Sequence, residues 1–150
     1  MEFLQFAQAE PGALPLAGLA QNASRYFDAT LEVAELPPGP GGIASASVTL
    51  NVPRHPNASF TLTLRAAGDA DYARLRAAER ANQSHGMADL GRRCPSVWQV
   101  TPQAPASAAV SYFFGALLAS VALGPLLPSD DSGLYGVRSA RLRAEELSKH

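Results

Sequence analysis

The sequence predicts a single α+β domain, in which a small, mainly antiparallel sheet of three to four strands is packed against a central apolar helix at about 107–123, with additional helices around it. Three observations lead there. Between positions 26 and 64, apolar residues recur at every second place in three runs separated by Pro- and Gly-rich breaks. The stretch VSYFFGALLASVALGPLL, at 110–127, contains no charge. A chain of 150 residues, 47% of them hydrophobic, is long enough for one core and too short to invite a second.

Residues 2–9 predict a short helix cut by Pro11, and Leu14, Leu16, Leu19 and Ala20 give a second short turn an apolar face. From Tyr26 the period changes to two. Phe27, Ala29, Leu31 and Val33 alternate with Asp28, Thr30, Glu32 and Ala34, the pattern of a half-buried strand. PPGPGG at 37–42 breaks it. IASASVTLNV then sets Ala44, Ala46, Val48, Leu50 and Val52 on one face and Ser45, Ser47 and Thr49 on the other. PRHPNA is a turn, and SFTLTL brings Phe60, Leu62 and Leu64 inward. The three strands form a meander whose single apolar face needs a cover.

The segment at 68–83, GDADYARLRAAERANQ, starts with Asp69 or Asp71 as an N-cap and continues in strong helix formers, with Tyr72, Leu75 and Ala78 along one side. A break at Gly86 and a short helical turn follow, and Val97, Trp98 and Val100 mark a short fourth strand. Ser107 is placed to cap the central helix and Gly124-Pro125 to stop it, leaving about 16 to 18 residues, or roughly 24 to 27 Å. Val110, Phe113, Phe114, Leu117, Leu118 and Val121 form a stripe of large groups, while Tyr112, Gly115, Ala116 and Ala119 form a second face of mostly small ones. Such a helix is built to be buried on both sides. Asp130 and Asp131 are predicted to cap a polar final helix at about 134–148, in which Val137, Leu142 and Leu147 alternate with Arg and Glu.

The alternative is a membrane-anchored, glycoprotein-like interaction protein with a span near 107–127. Gly115 and Ala119 make a small-xxx-small pair, and no charge occurs between Arg93 and Asp130. Three of the four asparagines, Asn22, Asn57 and Asn82, lie in N-x-S sequons that precede this stretch. Against the span stand its length, short of the ~20 residues a bilayer needs, and its Ser, Gly and Pro content. The N-terminus is a poor secretory signal, with an acid at Glu2 and no basic start, so the cytoplasm is the expected compartment.

Net charge is −1 and the 12 basic residues are dispersed, which argues against nucleic acid as a partner. Cys94, the single cysteine, leaves no internal disulfide to form. Chemistry, if there is any, falls to Cys94 with His85, where Arg92 and Arg93 would lower the thiol pKa; a Cys-Pro haem ligand is the weaker variant. A lone cysteine beside an apolar strand is more simply a small buried side chain. GPGG at 39–42 lacks the helix and lysine of a phosphate loop, and no metal-ligand spacing occurs. Trp98, if exposed beside Arg92 and Arg93, would be a partner-binding hot spot. The sequence therefore predicts a small soluble, non-enzymatic binding or assembly subunit acting through protein–protein contacts, self-association included. Its candidate binding residues are Trp98, Arg92, Arg93, Cys94 and His85, with no cofactor or metal. The membrane-anchored protein and a thiol enzyme using Cys94 are the rivals.

Overall fold

A computed structural model of the chain describes residues 1–9, 15–36 and 44–149, apart from the side chains of Leu16, Glu35 and Leu36. Among these residues the chain is α+β, with six strands and five helices in the order β1 (Phe3–Ala7), α1 (Leu16–Phe27), β2 (Thr30–Leu36), β3 (Ala44–Asn51), β4 (Ala58–Ala66), α2 (Asp69–Asn82), α3 (Met87–Arg92), β5 (Ser96–Pro102), α4 (Ala108–Ala122), β6 (Leu126–Pro128) and α5 (Val137–Ser148). The expected break at 37–42 and the expected role of Leu14 lie outside the described residues. The strands form one sheet in the order β2-β3-β4-β5-β1-β6, every neighbouring pair antiparallel. The expected three to four strands are thus six. The additional pair, β1 and β6, lies beyond β5 at one side.

The meander forms as its alternation predicts. Val48 pairs with Phe60 and Leu50 with Ala58, so the apolar side chains of β3 and β4 line one face while Ser47, Thr49, Ser59 and Thr61 line the other. Across the apolar face lies α4, whose Phe114 ring stacks on Phe60 at 4.5 Å and meets Phe3 edge-on at 6.5 Å. Burying side chains of this size contributes about 1.5–3 kcal/mol each. Ser107 caps α4 as expected, its Oγ accepting from Val110 N at 3.2 Å. The small face of α4 is covered by α5: Tyr112 and Ala116 pack against Ala140 and Ala144. In α5 it is therefore these alanines that face inward, while Val137 and Leu142 are exposed.

The expected central helix forms at Ala108–Ala122, whereas the helix expected at 2–9 and the rival span at 107–127 do not. Residues 3–7 are a strand, not a helix, because FLQFA is buried on both sides between β5 and β6 and shows no alternation to read. Residues 107–127 are not one span: α4 ends at Ala122, Leu123 turns left-handed (φ 60°), and the chain enters β6. No helix among the described residues is long and apolar enough to cross a membrane. The carbonyls freed at the end of α4 are taken up from β1 and the residue after it, by Gln8 Nε2 donating to Leu123 O and Gln5 Nε2 donating to Gly124 O, both at 2.8 Å. Gly124 is required for space, since a Cβ there would collide with the Phe6 carbonyl and lie 2.7 Å from Cys94 Sγ.

Among the described residues the second face of the sheet is covered at this side. Leu4, Phe6, Val97 and Leu127 pack beneath Leu75 and Ala78 of α2, Ala88 of α3, and Cys94. Helix α2 starts at Gly68 rather than at an aspartate cap, and Asp71 at its third position accepts from Gly68 N at 2.8 Å. Its carboxylate also takes a two-pronged bond from Arg65 at 2.7 and 2.9 Å, which holds the Asp71 pKa below its ordinary value. The acids at 130 and 131 do not cap α5, which starts at Val137 behind Gly136. Asp130 accepts from Ser132 N at 3.0 Å within the loop, and Asp131 binds Arg74 of α2 at 2.7 Å, fastening the loop to that helix.

Candidate functional site

The expected site residues do not form one surface. Trp98 is 0% exposed and belongs to the core under α4, so it is not a partner-facing anchor. Cys94 is likewise buried, and its Sγ donates to Leu90 O at 3.5 Å. Burial pushes the thiol up to about 11, so the lowering expected from Arg92 and Arg93 does not occur and the group is a neutral thiol near pH 7. Both arginines are exposed, Arg92 lying 3.9 Å from Asp89. His85 is exposed in a different place, an open groove with Met87, Leu134 and Leu142. Among the described residues no group of three or more metal-ligating side chains converges. Of the three sequons, Asn22 Nδ2 donates to Ser120 Oγ at 2.9 Å and Asn82 Nδ2 to Ala78 O at 2.9 Å, while Asn57 is exposed.

A different surface gathers Arg and aromatic residues. It is an open groove of about 580 Å³ between the end of α1, the β3–β4 turn and α5. Each wall has a local cause. Helix α1 stops at Asp28, which takes the left-handed conformation (φ 50°) while Ala29 N donates back to Ala23 O at 3.0 Å. That reversal leaves Arg25 and Tyr26 on the outer side of the last turn, Tyr26 at 49% exposure. The next wall is the turn Val52-Pro53-Arg54-His55, in which His55 N donates to Val52 O at 3.1 Å. Proline at the second position and a positive φ at the third, 71° at Arg54, are the marks of a type II turn, whose third position favours glycine. Placing an arginine there costs about 1 kcal/mol or more.

The floor is aromatic. Phe27 meets Phe113 of α4 edge-on at 6.3 Å, and His55 meets the same ring at 5.8 Å. Over Phe27 lies the Arg141 guanidinium of α5, 5.1 Å from the ring centre, and it is braced by Glu145, whose Oε1 accepts from Arg141 Nε at 3.4 Å. Arg25 lies 5.6 Å over the Tyr26 ring. Among the described residues no carboxylate lies within 4.0 Å of Arg25 or Arg54, so two of the three guanidinium groups keep their forks open. The groove thus offers flat apolar area and planar hydrogen-bond donors side by side.

None of these residues was among the sequence candidates. Tyr26 and Phe27 read as the start of a strand, because Phe27, Ala29 and Leu31 continue its alternation by coincidence. Arg54 read as an ordinary turn residue. The one signal present was the turn itself, where a Pro-Arg pair stands in place of the usual Pro-Gly. Comparisons with protein-family models, with curated proteins and with solved structures find no match to this chain.

Proposed function

We propose that this chain is a non-enzymatic binding or assembly subunit that acts through protein–protein contacts, and that the groove between α1, the β3–β4 turn and α5 is where a partner docks. The observation that carries the reading is the meeting of Arg25, Arg54 and Arg141 with Tyr26, Phe27 and Phe113 in one open groove. Arginine and tyrosine lead the residue types that dominate binding energy at protein interfaces, where a flat aromatic body gives contact area at low entropic cost. The left-handed Arg54 adds support, since it lies in a turn and not at a helix end, and strained non-glycine backbone clusters at functional sites. The cytoplasm is the compartment we propose, in keeping with a lone cysteine held as a free thiol.

The test is affinity capture from the native host with the full chain as bait, in parallel with the double variant Tyr26→Ala/Arg54→Ala and with Thr61→Ala on the far face of the sheet. A specific partner, or a second copy of the chain, is expected to be retained by the parent and by Thr61→Ala and to fall by at least about tenfold with the double variant. Equal capture by all three baits would end the groove reading.

A further inference from the structure

We infer that the segment seated in this groove is a short acidic stretch of polypeptide with apolar side chains between its carboxylates; this rests on the reading of the groove as a protein-docking surface. Arg25, Arg54 and Arg141 reach the groove from three separate elements, against one lining acid, Asp28, and Glu145, which pairs with Arg141 from the side. In a chain whose net charge is −1, a local excess of guanidinium groups is a feature of the site rather than of the whole surface. A guanidinium fork matches a carboxylate in two-pronged geometry, as Arg65 and Asp71 already show elsewhere in this chain at 2.7 and 2.9 Å. Arg141 is supported from below by the Phe27 ring and from the side by Glu145, so its fork is held in place before a ligand arrives.

The floor and walls of the groove are partly apolar. Val52, Pro53, Phe113 and the exposed Tyr26 ring lie among the arginines rather than apart from them. A ligand carrying only charge would leave this area wet, while a peptide alternating acidic and apolar residues satisfies both. The groove is open to solvent and not an enclosed cup, which suits a polypeptide segment better than a small anion. Nucleic acid would need a basic track extending past one groove, and the dispersed basic residues do not supply it.

The experiment is fluorescence anisotropy on the full chain with three labelled probes: a short peptide alternating Glu and Leu, the same peptide with Gln for Glu, and a single-stranded oligonucleotide of equal charge. The Glu peptide is expected to bind, to weaken by at least about tenfold as salt rises from about 50 to about 300 mM, and to lose at least about tenfold with Arg25→Glu/Arg54→Glu. Both positions are exposed, so circular dichroism should show the variant folded. No binding of the Glu peptide, equal binding of the Gln peptide, tighter binding of the oligonucleotide, or indifference to the charge reversal would each overturn the inference. Binding of the Gln peptide that is lost in Tyr26→Ala/Arg54→Ala would overturn the acidic ligand alone and leave the docking groove standing.

Discussion

The two sides of the sheet are built differently. At one side β1, β6 and the start of β5 are sandwiched, with α4 on one face and α2 and α3 on the other, and every residue of β1 and β6 is buried. At the other side, among the described residues, β2, β3 and β4 are covered on one face only, and their outer face carries hydroxyl groups bonded to one another or to a neighbouring amide, Thr49 with Ser59 at 2.9 Å and Gln103 donating to Ser47 at 2.7 Å and Thr61 at 3.1 Å. The first side leaves little room for change in its two strands. The second keeps its stability in one layer, which leaves its hairpin end free to carry a strained arginine and an open groove.

The largest effect should come from the sandwiched side. Phe6→Ala removes a fully buried ring packed with Leu75, Ala78 and Ala88 beneath α2 and α3, and its cost is expected to be about 4 kcal/mol in a denaturant titration. Gly124→Ala adds only a methyl group, yet it drives that group into the Phe6 carbonyl, and a loss of about 3 kcal/mol is expected. If either change cost less than about 1 kcal/mol, the sandwich would be looser than described.

A smaller effect separates the sides by pH. Asp71 and Arg65 join α2 to β4 at the border between them. Because the folded Asp71 titrates below the ordinary carboxyl value of 3.8, its contribution is complete above that pH and fades as the pH falls through the lower folded value. With its arginine partly exposed, the pair is worth about 1 kcal/mol. Asp71→Asn should flatten that part of the acid limb of a stability–pH profile and leave the profile near neutrality unchanged in shape.

The smallest effect has the opposite sign. Arg54→Gly relieves a left-handed arginine, and although glycine loses more entropy on folding, the variant is expected to be about 0.5 kcal/mol more stable than the parent. The same change should weaken partner capture. A variant that is at once more stable and less able to bind would mark Arg54 as kept for binding, whereas a loss of stability would show that the turn depends on the arginine side chain.

The contrast also explains what could be read from the sequence. Strands β3 and β4 were legible almost residue by residue, because a sheet with one wet face must alternate, and Val48, Leu50, Phe60 and Leu62 do. Strands β1 and β6 were not, since a strand buried on both faces has no period of two, and FLQFA and LLP read as well for a helix. Helix α1 was hidden by a narrow apolar face, Leu19, Ala23 and Phe27, whose last member also fits the strand pattern that follows. The groove was invisible for a simpler reason: Arg25, Arg54 and Arg141 are separated by 29 and 87 positions, and only the folded chain sets them side by side.

The groove is tested most directly by site-specific photo-crosslinking in the native host, with a photoreactive residue placed at Tyr26 in the groove in one sample and at Thr61 on the hydroxyl face in another. A discrete crosslinked polypeptide is expected from position 26 and none from position 61. A discrete adduct from position 61 with none from position 26 would contradict the groove reading, and would move the docking surface to the far face of the sheet.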